Sequence, residues 1–248
     1  MVKKIEIGVI PSAGKGSRMS DLPLIRILPK PMIPLLHKPI LEYVIENMKK
    51  FGVKYIYMIV GHKKEIIREY FGDGKDWDLE IKYIEQKELK GIAHAIELTK
   101  DYINEPFVVI LGDDLTIADS FDNLVSIFWN KNAYAVEGVV VENDLEVLKR
   151  TCSVVLDADT KIVEIKEKPT NPKSNLRGIG IYIFDPIVFE YIRKTPISRE
   201  RFEKEITNTI GLLAKDHKAY GALINGININ INTLGDLVLA TKILSSRF

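Results

Sequence analysis

The sequence predicts an α/β fold: a mainly parallel β-sheet flanked by helices, with a smaller β-rich lobe added late in the chain. Three observations carry this. Strand-like apolar runs alternate with helix-period segments through the first half. A small-residue loop, Ser12-Ala-Gly-Lys-Gly-Ser-Arg18, follows directly on the first β-branched run. Short strands then dominate the second half.

Taken in order, Ile5, Ile7, Val9 and Ile10 predict a first strand over Ile5–Ile10. A helix follows, with Ile40, Val44, Ile45, Met48 and Phe51 on one face. Strands are expected at Lys54–Val60, Glu80–Glu85 and Phe107–Leu111, and helices at Lys63–Tyr70 and Ala93–Leu98. In such a βαβα series the crossovers are right-handed and ligands lie outside the carboxyl ends of the strands. The glycine loop, the Gln86–Gly91 loop and Gly112-Asp113-Asp114 all follow strands, so they should meet at that edge. Further on, strands are expected at Val139–Val141, Cys152–Leu156, Lys161–Ile165, Ile179–Phe184 and Ile227–Ile231. Helices are expected over Phe202–Lys215 and Thr233–Leu244. No linker rich in Pro, Gly or Ser divides the 248 residues, which read as a single domain of two parts, 1–135 and 136–248.

Composition narrows the function classes. Lys+Arg 35 against Asp+Glu 34 gives a net charge of +1, so no global field recruits nucleic acid or an anionic membrane. No apolar run reaches the roughly 18 residues of a membrane span, and Met-Val-Lys-Lys-Ile-Glu carries no signal-peptide core. The single cysteine, Cys152, excludes an internal disulfide and fits a reducing cytoplasm. The four His are scattered without metal-ligand spacing.

The loop after the first strand is the chemical signal. Gly14 and Gly16 let backbone N–H groups approach an anion, and Arg18 and Lys30 add fixed positive charge. A Walker loop requires Gly-Lys-Ser/Thr, whereas here Lys15 precedes Gly16. A dinucleotide fingerprint requires a small residue where Met19 stands, and an acid where Val60-Gly61-His62 offers none. Alone, the loop reads equally as a glycine-rich turn.

With Lys30-Pro31, Gln86, Gly112-Asp113-Asp114 and Glu167-Lys168-Pro169 added, the chain resembles the sugar-1-phosphate nucleotidyltransferases. The family's opening pattern, roughly A-G-x-G-T-R, then P-K-P and a further K-P, appears as Ala13-Gly-Lys-Gly-Ser-Arg18, Lys30-Pro31 and Lys38-Pro39. The likeness spans nearly the whole chain and looks closest to UTP–glucose-1-phosphate uridylyltransferases. It implies a Rossmann-like nucleotide-diphospho-sugar transferase architecture, a nucleotide-binding first part and a sugar-binding second part. The implied reaction moves a nucleoside monophosphate from UTP or dTTP to a hexose 1-phosphate, with Mg²⁺ as cofactor.

By the same resemblance, Ala13, Gly14, Gly16, Ser17 and Arg18 cradle the triphosphate, and Lys30 reaches the reacting phosphates. Gln86 and Gly91 match positions that read a pyrimidine base; alone, Gln86 reads as a polar strand end. Asp113 matches the metal-binding aspartate and otherwise reads as a turn residue, with Asp114 a bystander. Glu167 and Lys168 match the Glu-Lys-Pro that holds sugar hydroxyls and the sugar-bound phosphate, and Gly180 a segment lining the sugar pocket.

Two positions depart from the pattern. Asn230, in Asn230-Ile-Asn-Thr233, stands where the family's D-I-G-T-like segment has a second metal aspartate. Cys152 stands where a glycine flanks the sugar, and reads equally as a buried apolar cysteine. These motivate an alternative, a catalytically weak nucleotide-sugar sensor; a cytidylyl- or guanylyltransferase of the same family is another. The sequence stops soon after the last expected helix, leading to the expectation of a free-standing transferase, with homodimerisation expected only by analogy.

Overall fold

The computed structural model describes residues 3–19, 22–198 and 202–247. Met1 and Val2, which head the segment read as entering the first strand, lie outside the described residues. The chain opens with β1 (Ile7–Ser12), then β2 (Pro34–Leu35) and β3 (Lys38–Pro39), which form a small clip. Next come α1 (Ile40–Phe51), β4 (Tyr55–Val60), α2 (Lys64–Phe71), β5 (Glu80–Glu85), α3 (Ile92–Glu97) and β6 (Phe107–Ile110). β7 (Asp114–Ala118), α4 (Asp122–Asn130), β8 (Ala135–Val141), α5 (Leu145–Arg150), β9 (Cys152–Leu156) and β10 (Ile162–Glu167) follow. The chain closes with β11 (Leu176–Phe184), α6 (Val188–Lys194), α7 (Ile206–Lys215), β12 (Ala219–Leu223), β13 (Gly226–Asn230) and α8 (Leu234–Ser245).

β1 pairs in parallel with β4 on one side and β6 on the other, and β4 pairs in parallel with β5. Val9 and Ile10 are fully buried, as expected of a strand covered on both faces. α1 buries Ile40, Leu41, Val44, Ile45 and Met48 and stops at Gly52, whose φ of 86° lets its N–H return to Met48 O and Lys49 O.

The sheet does not end at β6. β11 pairs antiparallel with β6 through Ile181–Phe184 and with β9 through Leu176–Gly178, and β9 pairs with β10. Along its other edge β11 pairs with β8, which pairs in parallel with β12. The β-rich second half is therefore continuous with the parallel half, in one nine-stranded sheet among the described residues. β7 and β13 form a separate two-stranded ladder. Ile229 and Ile231 pack there with Leu115, Ala240 and Leu244, seating α8.

Several boundaries differ from the sequence expectation. β1 runs on through Pro11 and Ser12, pairing Ser12 with Val60. α7 begins at Ile206 rather than Phe202, because Phe202 has φ 57° and Lys204 N–H is held by Lys90 O. β7, α4, α5, α6 and β12 had no counterpart in the expected element order. Among the described residues no helix is long and apolar enough to cross a membrane.

Candidate active site

The loops after β1, β5 and β6 converge at the carboxyl edge of the sheet, facing β9, β10 and β11 across a cavity of about 440 Å³. Every residue expected at a site lines it. Ala13, Gly14, Gly16, Ser17, Arg18 and Lys30 form one wall, with Gln86 and Gly91 beside them. Asp113 and Asn230 line it too, and Cys152, Glu167, Lys168 and Gly180 are contributed from β9, β10, the turn after β10 and β11.

At the first wall Gly16 has φ 66°, and a Cβ there would press to 3.2 Å from Lys30 Cβ, so the loop closes only on a glycine. Lys30, buried on a single 3₁₀ turn, donates to Asp113 Oδ2 at 2.5 Å and to Asn232 Oδ1 at 3.1 Å. Arg18 Nη1 donates to that same Asn232 oxygen at 2.7 Å. Two cations from the opening motifs thus meet a carboxylate and an amide drawn from the end of β6 and the turn after β13. A buried lysine is stable only when so partnered.

The two neighbouring aspartates divide their work. Asp113 faces the cavity with about a third of its side chain exposed (32%). Asp114 is buried; Oδ2 accepts from Gly180 N–H at 2.9 Å and Oδ1 from Asn228 Nδ2 at 2.9 Å. Arg177 Nη1 donates to Asn228 Oδ1 at 2.7 Å, extending the brace to the start of β11. Burial first, and the adjacent Asp113 second, push the Asp114 carboxyl up to about 6. The residue read as a bystander ties β7, β11 and β13 together under the site.

Asn230 stands opposite Asp114 in the β7–β13 ladder, and its Oδ1 accepts a hydrogen bond from Asn232 Nδ2. Asn232 N–H is in turn held by Asp236 Oδ2, which with Thr233 caps α8. Asn232 was missed, although the signal was present: it occupies the glycine place of the D-I-G-T-like segment. Arg150, from the last turn of α5, also lines the cavity, 3.7 Å from Asp236 Oδ1, and no motif pointed to it.

Beside β5, Gln86 Nε2 donates to Gly91 O at 3.2 Å and bonds His94 Nδ1 at 2.9 Å. This leaves the Gln86 carbonyl oxygen for a ligand. Gly91 has φ 95°, and a Cβ there would lie 2.5 Å from Lys204 O, so only glycine fits. Burial pulls the His94 imidazole below its ordinary range.

Among the strands of the second half, Glu167 closes β10 and pairs with Cys152, which pairs in turn with Gly178. Lys168 takes φ 47°, unusual for a side-chain-bearing residue, and its N–H is fixed by Thr151 O at 2.7 Å. Both Glu167 and Lys168 line the cavity. Burial, and then the neighbouring carboxyl groups of Glu137 and Glu167, push the Cys152 thiol well up, so it is an inert wall rather than a nucleophile.

The donor set suits a hard cation. Asp113 offers a carboxylate and Asn230 an amide oxygen, while among the described residues no three His, Cys, Asp or Glu gather into a cage. Magnesium bound jointly by protein and phosphate oxygens needs one or two such donors.

Comparison with known proteins agrees with this geometry. The nucleotidyl transferase family model matches residues 7–229. The bifunctional protein GlmU of Methanocaldococcus jannaschii is 41% identical over 236 residues, covering 95% of this chain and 53% of that protein. The low-salt glycan biosynthesis nucleotidyltransferase Agl11 of Haloferax volcanii is 34% identical over 249 residues, 97% of this chain and 68% of that one. The chain thus spans about half the length of the GlmU relatives it matches. A UDP-glucose pyrophosphorylase crystallised with UDP-glucose superposes with TM-score 0.88 at 25% identity, over 98% of this chain and 100% of that one. A putative glucose-1-phosphate thymidylyltransferase from Bacillus anthracis superposes with TM-score 0.86 at 28% identity, over 96% and 94%. The family match covers most of the chain, and the glycine loop, the central aspartate and the Glu-Lys turn meet in one cavity: the chain belongs to the nucleotidyl transferase family.

Proposed function

We propose that the chain transfers a nucleoside monophosphate from UTP or dTTP to a hexose 1-phosphate, with glucose 1-phosphate the acceptor, releasing pyrophosphate. The observation that carries this is the charge layout of the cavity. Lys30 pairs with Asp113, and Lys30 and Arg18 share Asn232 Oδ1 beside the glycine loop, while Glu167 and Lys168 line the same cavity from the end of β10. A triphosphate at the glycine loop and a sugar phosphate at Glu167 and Lys168 bring the acceptor oxygen to the α-phosphorus. The volume of about 440 Å³ suits a ligand of that size. The likeness to a UDP-glucose pyrophosphorylase and to a putative glucose-1-phosphate thymidylyltransferase supports the glucose and uridylyl or thymidylyl assignment.

The second ionisation of a phosphate monoester lies near pH 6, so the acceptor oxygen needs no general base at neutral pH. It attacks the α-phosphorus; the bond to the β-phosphate oxygen breaks, and the leaving charge moves onto pyrophosphate. Arg18 and Lys30 lie on the side where that charge develops, and Lys168 holds the acceptor phosphate. Asp113 and Asn230 are the residues to hold Mg²⁺, which supplies charge neutralisation on the phosphates when bound. Gln86 turns a carbonyl oxygen toward the imide N–H of uracil or thymine.

The test is pyrophosphate release with Mg²⁺, scanning UTP, dTTP, CTP, GTP and ATP against hexose and amino-sugar 1-phosphates. The expected result is preferred turnover of UTP or dTTP with glucose 1-phosphate. Preference for CTP or GTP overturns the base assignment, and preference for another sugar overturns the acceptor. Binding of a UDP-sugar without turnover favours the sensor.

A further inference from the structure

Glu137 is a buried ionisable group beside the cavity that this reading leaves unused. It lies in β8 at 1% exposure, and neither carboxyl oxygen has a hydrogen-bond partner among the described residues. Native proteins rarely leave such a group bare, because its lost hydration is not repaid by protein contacts. Among the described residues no lysine or arginine is hydrogen-bonded to it. Burial, and then the charge of Glu167, push its carboxyl well above the usual range and so favour the protonated form, which has one donor and one acceptor.

The sheet register shows where a partner can come from. β11 pairs Gly178 with Val139 and Tyr182 with Glu137, so Ile179, Gly180 and Ile181 bulge opposite Gly138. On its other side Gly178 pairs with Cys152, and Cys152 with Glu167, so these three point to one face of the sheet. The Glu137 carboxyl fills the room that a side chain at Gly178 would take: a Cβ added there collides with Glu137 Oε1 and lies 3.1 Å from Cys152 Sγ. Gly178, Cys152, Glu167 and Tyr182 all line the cavity. The unpartnered carboxyl thus lies against a cavity-lining residue that has no side chain.

We propose that Glu137 is a specificity-determining residue for the sugar, engaging a ring hydroxyl of the bound hexose 1-phosphate through the gap at Gly178. A hydroxyl both donates and accepts, matching the two unmet needs of the acid, whereas the Glu167 carboxylate only accepts. Engagement takes a rotation of the Glu137 side chain past Gly178, where no Cβ blocks it. The inference rests on the hexose 1-phosphate reading above and adds to it the group that reads one ring position.

The experiment measures kcat and KM for wild type and Glu137→Leu with the best hexose 1-phosphate and its deoxy analogue at each ring position. At one position wild type should favour the hydroxyl by on the order of tenfold or more, and Glu137→Leu should lose that preference while its KM for the NTP is unchanged. Glu137→Gln, which keeps a donor and an acceptor, should retain part of it. Unchanged discrimination at every position in Glu137→Leu, with only Tm lowered, overturns the proposal. Infrared difference spectra provide a readout on wild type should Glu137→Leu fail to fold. The protonated-carboxyl band missing from Glu137→Gln should shift when hexose 1-phosphate binds and stay put when NTP binds; a band indifferent to the sugar overturns the proposal. Wild type that neither binds nor turns over any hexose 1-phosphate overturns the parent reading and this one together. Turnover without either Glu137 effect overturns this one alone.

Discussion

Lys30 Nζ lies 2.5 Å from Asp113 Oδ2, joining the loop region after β1 to the end of β6 across 83 residues of sequence. The same ammonium reaches Asn232 Oδ1 at 3.1 Å, so one lysine links three separate segments at the centre of the cavity. Donors fixed before the substrate arrives need no reorganisation when charge develops, and this is where electrostatic catalysis is strongest. Lys30→Ala is expected to lower kcat by about 10²–10³-fold. Because Asp113 is 32% exposed, water rescreens it when the lysine goes, and Tm should change little. Parallel pyrophosphate-release assays and thermal scans check this. A variant with near-normal kcat would show that Lys30 only staples the loop.

Arg18 and Lys168 line the same cavity from different segments, Arg18 bonded to Asn232 and Lys168 in the turn after β10 held by Thr151, which separates their expected effects. Arg18→Ala should weaken NTP binding with little change in KM for the sugar phosphate, and Lys168→Ala should do the reverse. Calorimetry with UTP, together with KM values for each substrate, distinguishes them. Equal losses on both substrates in either variant would count against the assigned roles.

The parts of this site that the sequence made legible were those whose chemistry is local. Gly14, Gly16 and Arg18 announce an anion loop because backbone donors and a fixed cation are written within five residues. The parallel series through β6 was visible because apolar strands and amphipathic helices have distinct periods. What stayed hidden depends on partners distant in sequence. Asp114 looked like a turn residue until β13 and β11 brought Asn228 and Gly180 against it. Asn232 gained its meaning from Arg18, 214 residues away. β7 was lost in the reading of Gly112-Asp113-Asp114 as a turn, since its ladder partner β13 lies more than a hundred residues on. Nothing in Val136-Glu137-Gly138 foretold a carboxyl with no partner; that required the bulge in β11.

Asn230 presents an amide oxygen where its family pattern has a carboxylate, and that oxygen already accepts from Asn232. Asn230→Asp keeps the acceptor and adds a negative charge. One close charge–charge contact near a protein surface is worth roughly 4 kcal/mol at ~4 Å, an upper bound once phosphates share the ion. The Mg²⁺ concentration giving half-maximal pyrophosphate release should therefore fall in Asn230→Asp. An unchanged magnesium requirement would remove Asn230 from the metal site.

His94 Nδ1 lies 2.9 Å from Gln86 Nε2, so a neutral imidazole holds the amide whose carbonyl oxygen faces the base. Burial depresses the His94 pKa below its ordinary value. A depressed histidine contributes stability that is fully present above its unfolded pKa, near 6.5, and lost as pH falls through the folded value. Below that value a proton occupies Nδ1 and opposes the Gln86 donor, freeing the amide to rotate. UTP affinity should decline on acidification, beyond the loss from phosphate protonation seen with inorganic triphosphate as a reference. In His94→Asn, which cannot titrate, the two ligands should decline in parallel. Histidine NMR titration supplies the direct check. A folded-state His94 pKa at or above 6.5 would show that burial does not favour the neutral imidazole, and would overturn the linkage between acidification and Gln86.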